Sequence, residues 1–178
     1  MKKNNTIWHS MDPKRVTSEE FIVYIEIAKG TKKKYEIDKE TGFIILDKVL
    51  RTATHYPCSY GFIPLTLSED KDPLDVMVIC SETLDPNTLV KCRPLGVIGM
   101  IDGGERDEKI IAVAVTDPYV NGYKDLKDVP QVLIDEIEHF LKYYKNLTTE
   151  VEVFKAKPKA DAVKIIKQAI DLYNKSMA

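Results

Sequence analysis

A chain of 178 residues, 44% hydrophobic and 30% charged, is long enough to bury a sizeable core and too apolar to remain disordered. Its formal net charge of -2 excludes a general nucleic-acid binder, which carries a basic excess, but leaves room for a small anion held by local charges. Three cysteines, Cys58, Cys80 and Cys92, with no Cys-x-x-Cys pair, exclude a disulfide framework or a zinc site and predict free thiols in a reducing compartment.

Residues 1–10 hold two lysines followed by polar residues, without the apolar core of a secretory leader. The longest aliphatic run, residues 110–115, is far short of the roughly 20 residues of a membrane span. The expectation is a cytoplasmic protein with no membrane contact, folded as a single domain over residues 1–178. From residue 21, Phe21, Val23, Ile25 and Ile27 alternate with Ile22, Tyr24, Glu26 and Ala28, the period of a strand covered on both faces. Residues 33–38 and 43–47 flank Lys39-Glu40-Thr41-Gly42, a short glycine-containing link that predicts a hairpin. Further strand-like runs follow at residues 76–80, 89–100 and 110–116. The period then becomes helical. Asp128 as N-cap, Pro130 in the first turn and Gln131 completing a capping box predict a helix with an apolar stripe of Val132, Leu133, Ile137, Phe140, Leu141 and Tyr144. A second helix is expected from Pro158, with Val163, Ile166, Ile170 and Tyr173 inward. Strands followed by helices predict an α+β fold, a small closed or nearly closed barrel with helices packed outside.

Asp70-Lys71-Asp72-Pro73-Leu74-Asp75 places three carboxylates in six residues, and Pro73 keeps the segment a loop. Such a loop can aim several carboxylates at a hard divalent cation. With 28 acids among 178 residues, however, this spacing arises by chance about once per chain, so it carries no conclusion alone. A calcium hand is excluded, because its sixth and twelfth positions would be Asp75 and Ser81 instead of Gly and Glu. Asp102-Gly103-Gly104-Glu105-Arg106-Asp107-Glu108-Lys109 reads either as a solvated hairpin turn or as a second acidic wall. Glu26 and Glu36 lie on strands with apolar neighbours, so each needs a cation or a hydrogen-bond partner; an ion pair with lysine and a functional role both satisfy this. Tyr56-Pro57-Cys58-Ser59-Tyr60-Gly61-Phe62 reads as a rigid turn whose two phenols either pack or donate to a phosphate oxygen. Lys34, Lys48, Lys109 and Lys145 are the cations available to a polyanion.

Taken in order over residues 21–147, these segments resemble the soluble inorganic pyrophosphatases with the barrel fold. The segments that carry the likeness are Ile25-Glu26-Ile27, Lys34-Tyr35-Glu36-Ile37-Asp38, the Tyr56 to Gly61 segment, the acidic loop, Arg93-Pro94-Leu95-Gly96-Val97, the Asp102 to Lys109 segment and Tyr144-Lys145. The resemblance implies a five-stranded barrel of the oligonucleotide-binding type, pyrophosphate as substrate and several Mg²⁺ ions per site. It implies Asp70, Asp75, Asp102 and Asp107 as metal ligands, with Glu26 and Glu36 supporting them. It assigns Lys34, Lys48, Tyr60, Lys109, Tyr144 and Lys145 to phosphate oxygens, Tyr56 to the site lining and Asp72 to accepting the proton of the attacking water. It also implies a homo-oligomer, a hexamer as in bacterial members of this length. Two residues depart from the pattern: Lys71 stands where a small or acidic residue is usual, and Lys48 where Arg is usual. Lys keeps the charge of Arg without its two-pronged hydrogen bonding.

Two other readings compete. A metal-dependent nucleotide phosphohydrolase needs a stacking pocket for a base beside the acids. A single-strand nucleic-acid module needs a basic groove, which clustered acids oppose.

Overall fold

The computed structural model describes residues 6–178. The leaderless reading of the N-terminus falls in part on residues 1–5, which lie outside the described residues. In chain order the elements are helix α1 (Ile7–Ser10), strands β1 (Phe21–Ile27), β2 (Lys33–Ile37), β3 (Ile44–Val49), β4 (Ser59–Phe62), β5 (Asp75–Ile79), β6 (Leu89–Ile98), β7 (Met100–Asp102), β8 (Glu105–Arg106) and β9 (Lys109–Ala114), helix α2 (Gln131–Tyr143), strands β10 (Val151–Val153) and β11 (Lys157–Pro158), and helix α3 (Lys159–Met177).

Five strands pair in the order β1-β4-β5-β9-β6, and β6 returns to β1, closing a barrel. All neighbours in it are antiparallel except β5 and β9, which are parallel with Asp75 opposite Lys109. The wall is apolar on both faces. Val76 and Val78 of β5, with Ile110 and Ala112 of β9, join a cluster that includes Trp8 of α1 and Ala162, Ile166, Ala169 and Tyr173 of α3. Met77 and Ile79, with Ile111 and Val113, join a second cluster with Ile134, Ile137, Phe140 and Leu141 of α2. A strand buried on both faces has no polar alternation to keep, which explains the continuous runs of Val and Ile. Gly61 is needed where β4 crosses β1: a Cβ there would lie 1.9 Å from the Tyr24 carbonyl oxygen.

The predicted hairpin forms as β2 and β3, and the predicted run 89–100 divides at Gly99 into β6 and β7. Three expectations are corrected. Tyr60 sits on strand β4, paired with β1 and β5, and so belongs to the barrel wall instead of a turn. Asp128 does not cap α2: its Oδ2 accepts from Lys124 N at 2.8 Å and Asp125 N at 3.0 Å, completing a capping box around the short turn Leu126–Asp128. Val129 precedes a proline and is therefore extended, which ends that turn and lets α2 begin only after Pro130. Val132 is 66% exposed, because starting the helix at Gln131 turns its first apolar residue to solvent and buries Ile134 in its place. In α3 the buried stripe is Ala162, Ile166, Ala169 and Tyr173, with Val163 and Ile170 half-buried at its edges.

Candidate functional site

A cleft of about 260 Å³ opens at one end of the barrel wall, where β1, β2, β4, β5, β7 and β9 and the acidic loop meet. Local irregularities aim its side chains. In β1 the pairing with β4 slips between Ile25 and Ile27, so Glu26 is the extra residue of a bulge, and bulges re-aim side chains. Glu26 is buried, and its Oε1 accepts from the Ile37 N–H at 2.8 Å, which joins β1 to β2. Burial, followed by the nearby Asp75 charge, raises its pKa to about 8. A second bulge lies in the hairpin. Lys34 is opposite Lys48 and Tyr35 is opposite Leu46, leaving Asp47 as the extra residue. Asp47 Oδ2 thereby accepts from Lys34 Nζ at 2.9 Å, and Lys34 also pairs with Glu36. Burial lowers the Lys34 pKa, but these two carboxylates more than reverse it, so the ammonium stays charged.

The parallel register of β5 and β9 produces the buried centre of the site. Lys109 Nζ donates to Asp75 Oδ2 at 2.5 Å and to Asp107 Oδ1 at 2.6 Å. Only 3% of the Lys109 side chain is exposed, against 24% for Asp75 and 14% for Asp107. Burial would discharge such a lysine; the two carboxylates overcome it and hold the pKa well above the ordinary range. Asp107 is pushed upward by burial, against the pull of Lys109. Asp102, on β7 ahead of the Gly103-Gly104 turn, pairs with Lys145, which the C-terminal end of α2 delivers beside Tyr144. Phe140 and Tyr144 stack at 4.8 Å, which fixes that end of the helix. Asp70 is raised to about 6 by burial, in a loop where the Asp72 N–H donates to its Oδ1 at 3.0 Å.

The cleft therefore gathers Glu26, Lys34, Glu36, Tyr60, Asp70, Asp72, Asp75, Asp102, Asp107, Lys109, Tyr144 and Lys145 on one surface, although the sequence separates them by up to 119 positions. Two expected residues stand apart. Tyr56 is buried behind the wall, edge-on to Tyr60 at 5.6 Å and against Phe140 at 4.6 Å. Lys48 lines an adjoining hollow of about 290 Å³ that shares Lys34, Tyr144 and Lys145 with the cleft. Tyr35, Lys39 and Phe62 also line the cleft, and Asp47 holds Lys34 from outside it. Lys39 read as part of a polar turn, and nothing local distinguishes it; its partner Asp72 lies 33 positions away.

Seven carboxylates and four ammoniums line this surface, an excess of three negative charges when all are ionised. An oxygen-rich, net-negative cleft matches a hard divalent cation in donor type. Among the described residues no three His, Cys, Asp or Glu side chains stand together as a ready-made chelate. Asp75, Asp107 and Asp102 are turned onto lysines, which a bound cation would have to displace.

Among the described residues, no helix is long and apolar enough to cross a membrane. The family model described as inorganic pyrophosphatase matches residues 23–174. Soluble inorganic pyrophosphatase 1 of Arabidopsis thaliana is 44% identical over 167 residues, 93% of this chain and 79% of that protein. The inorganic pyrophosphatase of Haloferax volcanii is 40% identical over 97% of this chain and 98% of its own. Among solved structures, the Helicobacter pylori inorganic pyrophosphatase superposes with a TM-score of 0.85 at 38% identity, covering 88% of this chain and 95% of that one. With the closed barrel, the acid-lined cleft and matches across nearly the whole length in agreement, the chain belongs to the inorganic pyrophosphatase family.

Proposed function

We propose that the chain hydrolyses inorganic pyrophosphate to two orthophosphates by attack of water, and that the cleft takes several divalent cations, Mg²⁺ foremost. The observation that carries this is the charge of the cleft, in a chain of this family: even with Glu26 neutral, six carboxylates stand against four ammoniums around about 260 Å³. Such a surface repels a polyanion unless cations accompany it. Asp70, Asp75, Asp102 and Asp107 would hold them, with Glu26 and Glu36 reaching them through water. When bound, the cations supply charge neutralisation and a more acidic water.

The remaining roles belong to the chain itself. Lys34, Lys109 and Lys145 are ammoniums lodged in the wall against carboxylates, and they would turn to phosphate oxygens once cations take those carboxylates over. Tyr60 and Tyr144 donate hydroxyls from the same surface, and Tyr56 backs Tyr60. Lys48 reaches the outer phosphate from the adjoining hollow as a point charge. Asp72, on the exposed lip, accepts the proton of the attacking water. Its exposure supports this role, because an acceptor must pass the proton on to solvent. A cytoplasmic location and assembly into a homohexamer complete the proposal; light scattering on the eluting protein then gives about six times the 20.3 kDa chain mass.

The test is phosphate release from pyrophosphate and from ATP, each with Mg²⁺ and with excess chelator. Rapid release from pyrophosphate that needs Mg²⁺, with ATP far slower, is the expected result. Equal rates on ATP would establish a nucleotide phosphohydrolase instead, and full activity in chelator would remove the cations from the account.

A further inference from the structure

Trp8 is the single tryptophan of the chain and is buried in α1, remote in sequence from the cleft residues. Two hydrogen bonds tie it to the segment entering the acidic loop. Its Nε1 donates to the Thr66 carbonyl at 2.8 Å, and its own carbonyl accepts from Leu65 N at 2.9 Å. Thr66 Oγ1 accepts in turn from the Leu74 N–H at 2.9 Å, so both stems of the loop are anchored at α1. The face of the indole also carries a cation: Lys39 Nζ lies 5.5 Å from the ring centroid. That same ammonium, in the turn that follows β2, donates to Oδ1 of Asp72. The stems of the loop and its Asp72 carboxylate thus refer to one buried ring.

The Lys39 and Asp72 side chains are 54% and 53% exposed, so their pairing adds little stability. Its consequence is directional. With Oδ1 engaged by Lys39, Oδ2 is left to take the water proton. A carboxylate on a loop otherwise rotates about its two side-chain torsions, and displacements of about an ångström in a reacting group cost up to about a hundredfold in rate.

We infer that Lys39, seated on Trp8, is a positioning residue that orients Asp72 toward the attacking water, which makes the N-terminal helix a working part of the active site. This rests on the hydrolase reading and on Asp72 as the proton acceptor. Lys39→Met keeps the stem and removes the ammonium. It is expected to lower kcat ten- to a hundredfold, with KM changed less than about threefold, because an orientation needed in the transition state has been lost. Lys39→Arg, which keeps a cation able to stack on the ring, restores most of the rate. In an Asp72→Asn background Lys39→Met causes no further loss, since its effect passes through that carboxylate. The emission of Trp8, the one indole present, shifts in Lys39→Met and not in Lys91→Met, a surface lysine paired with Glu20. Full kcat in Lys39→Met, an equal loss in the Asp72→Asn background, or Met and Arg variants of equal activity would each overturn the inference. A wild-type chain without pyrophosphatase activity would overturn the hydrolase reading itself. The Trp8 emission distinguishes that failure, because it reports the Lys39 contact whether or not the chain is active.

Discussion

Replacing Glu26 by Gln tests the electrostatics of the cleft without touching its shape. Gln retains an oxygen for the Ile37 N–H, which Glu26 accepts at 2.8 Å, and removes only the capacity to ionise. The Glu26 pKa rises from an ordinary 4.5 to about 8 because the group is buried and Asp75 stands near. The native state therefore binds that proton more tightly than the unfolded chain does. The stability Glu26 contributes is fully present in acid and is lost as pH climbs from about 4.5 to about 8. At about 1.4 kcal/mol per unit, and allowing for partial titration at both ends, the loss between pH 5 and pH 8 is roughly 3 to 4 kcal/mol. In a chain of this size 1 kcal/mol corresponds to about 2 to 4 °C, so the effect is roughly 10 °C in Tm. Thermal unfolding of both proteins in chelator, from pH 5 to pH 8, supplies the measurement. Groups common to both proteins cancel in the difference. The Gln variant is expected to gain on the wild type steadily as pH rises. A Tm difference that stays constant, or that narrows toward pH 8, would refute a neutral, buried Glu26.

Asp72→Asn preserves shape but takes up no proton near neutrality, so kcat should fall by about 10² to 10⁴ with little change in the Mg²⁺ requirement. Rescue of that variant by added Mg²⁺ in a titration of rate would instead make Asp72 a ligand. Lys48→Ala should raise KM for pyrophosphate while Lys48→Arg matches or surpasses the parent; equal kinetics in Lys48→Ala would reduce Lys48 to a surface charge. Lys109→Met leaves Asp75 and Asp107 facing each other without their shared ammonium. In chelator at pH 8 this should cost about 2 to 3 kcal/mol in denaturant unfolding, less than a fully dry pair because both acids keep some contact with water. Addition of Mg²⁺ should recover part of that loss, and a variant as stable as the parent in chelator would show that the three groups are not coupled.

Local signals in the chain determined much of the architecture. The apolar run of β1, interrupted only by Glu26, identified a strand covered on both faces, the glycine-containing link identified the β2–β3 hairpin, and the change of period located α2 and α3. These are readable because hydrophobic period and turn chemistry act over a few neighbouring residues. The resemblance supplied the roster of charged residues, since those segments follow one another along the chain in the family's order. What the sequence left undecided are relations between distant segments. Nothing local marks Glu26 or Asp47 as the extra residue of a bulge, because a bulge exists only relative to its partner strand. Nothing local sets Lys109 opposite Asp75; only the parallel register of β5 and β9 does so, and only the folded wall, with the Tyr60 ring beside the ammonium, makes that lysine the dry centre of the site. Asp128 carried a proper helix-cap signal yet serves the turn before Pro130, because Asp125 competes for it three residues earlier. Lys39 is the clearest case. Within its hairpin it is an ordinary exposed lysine, and only the folded chain sets it between the Trp8 ring and the Asp72 carboxylate, since charge and aromatic contacts depend on distance in space and not on separation along the chain.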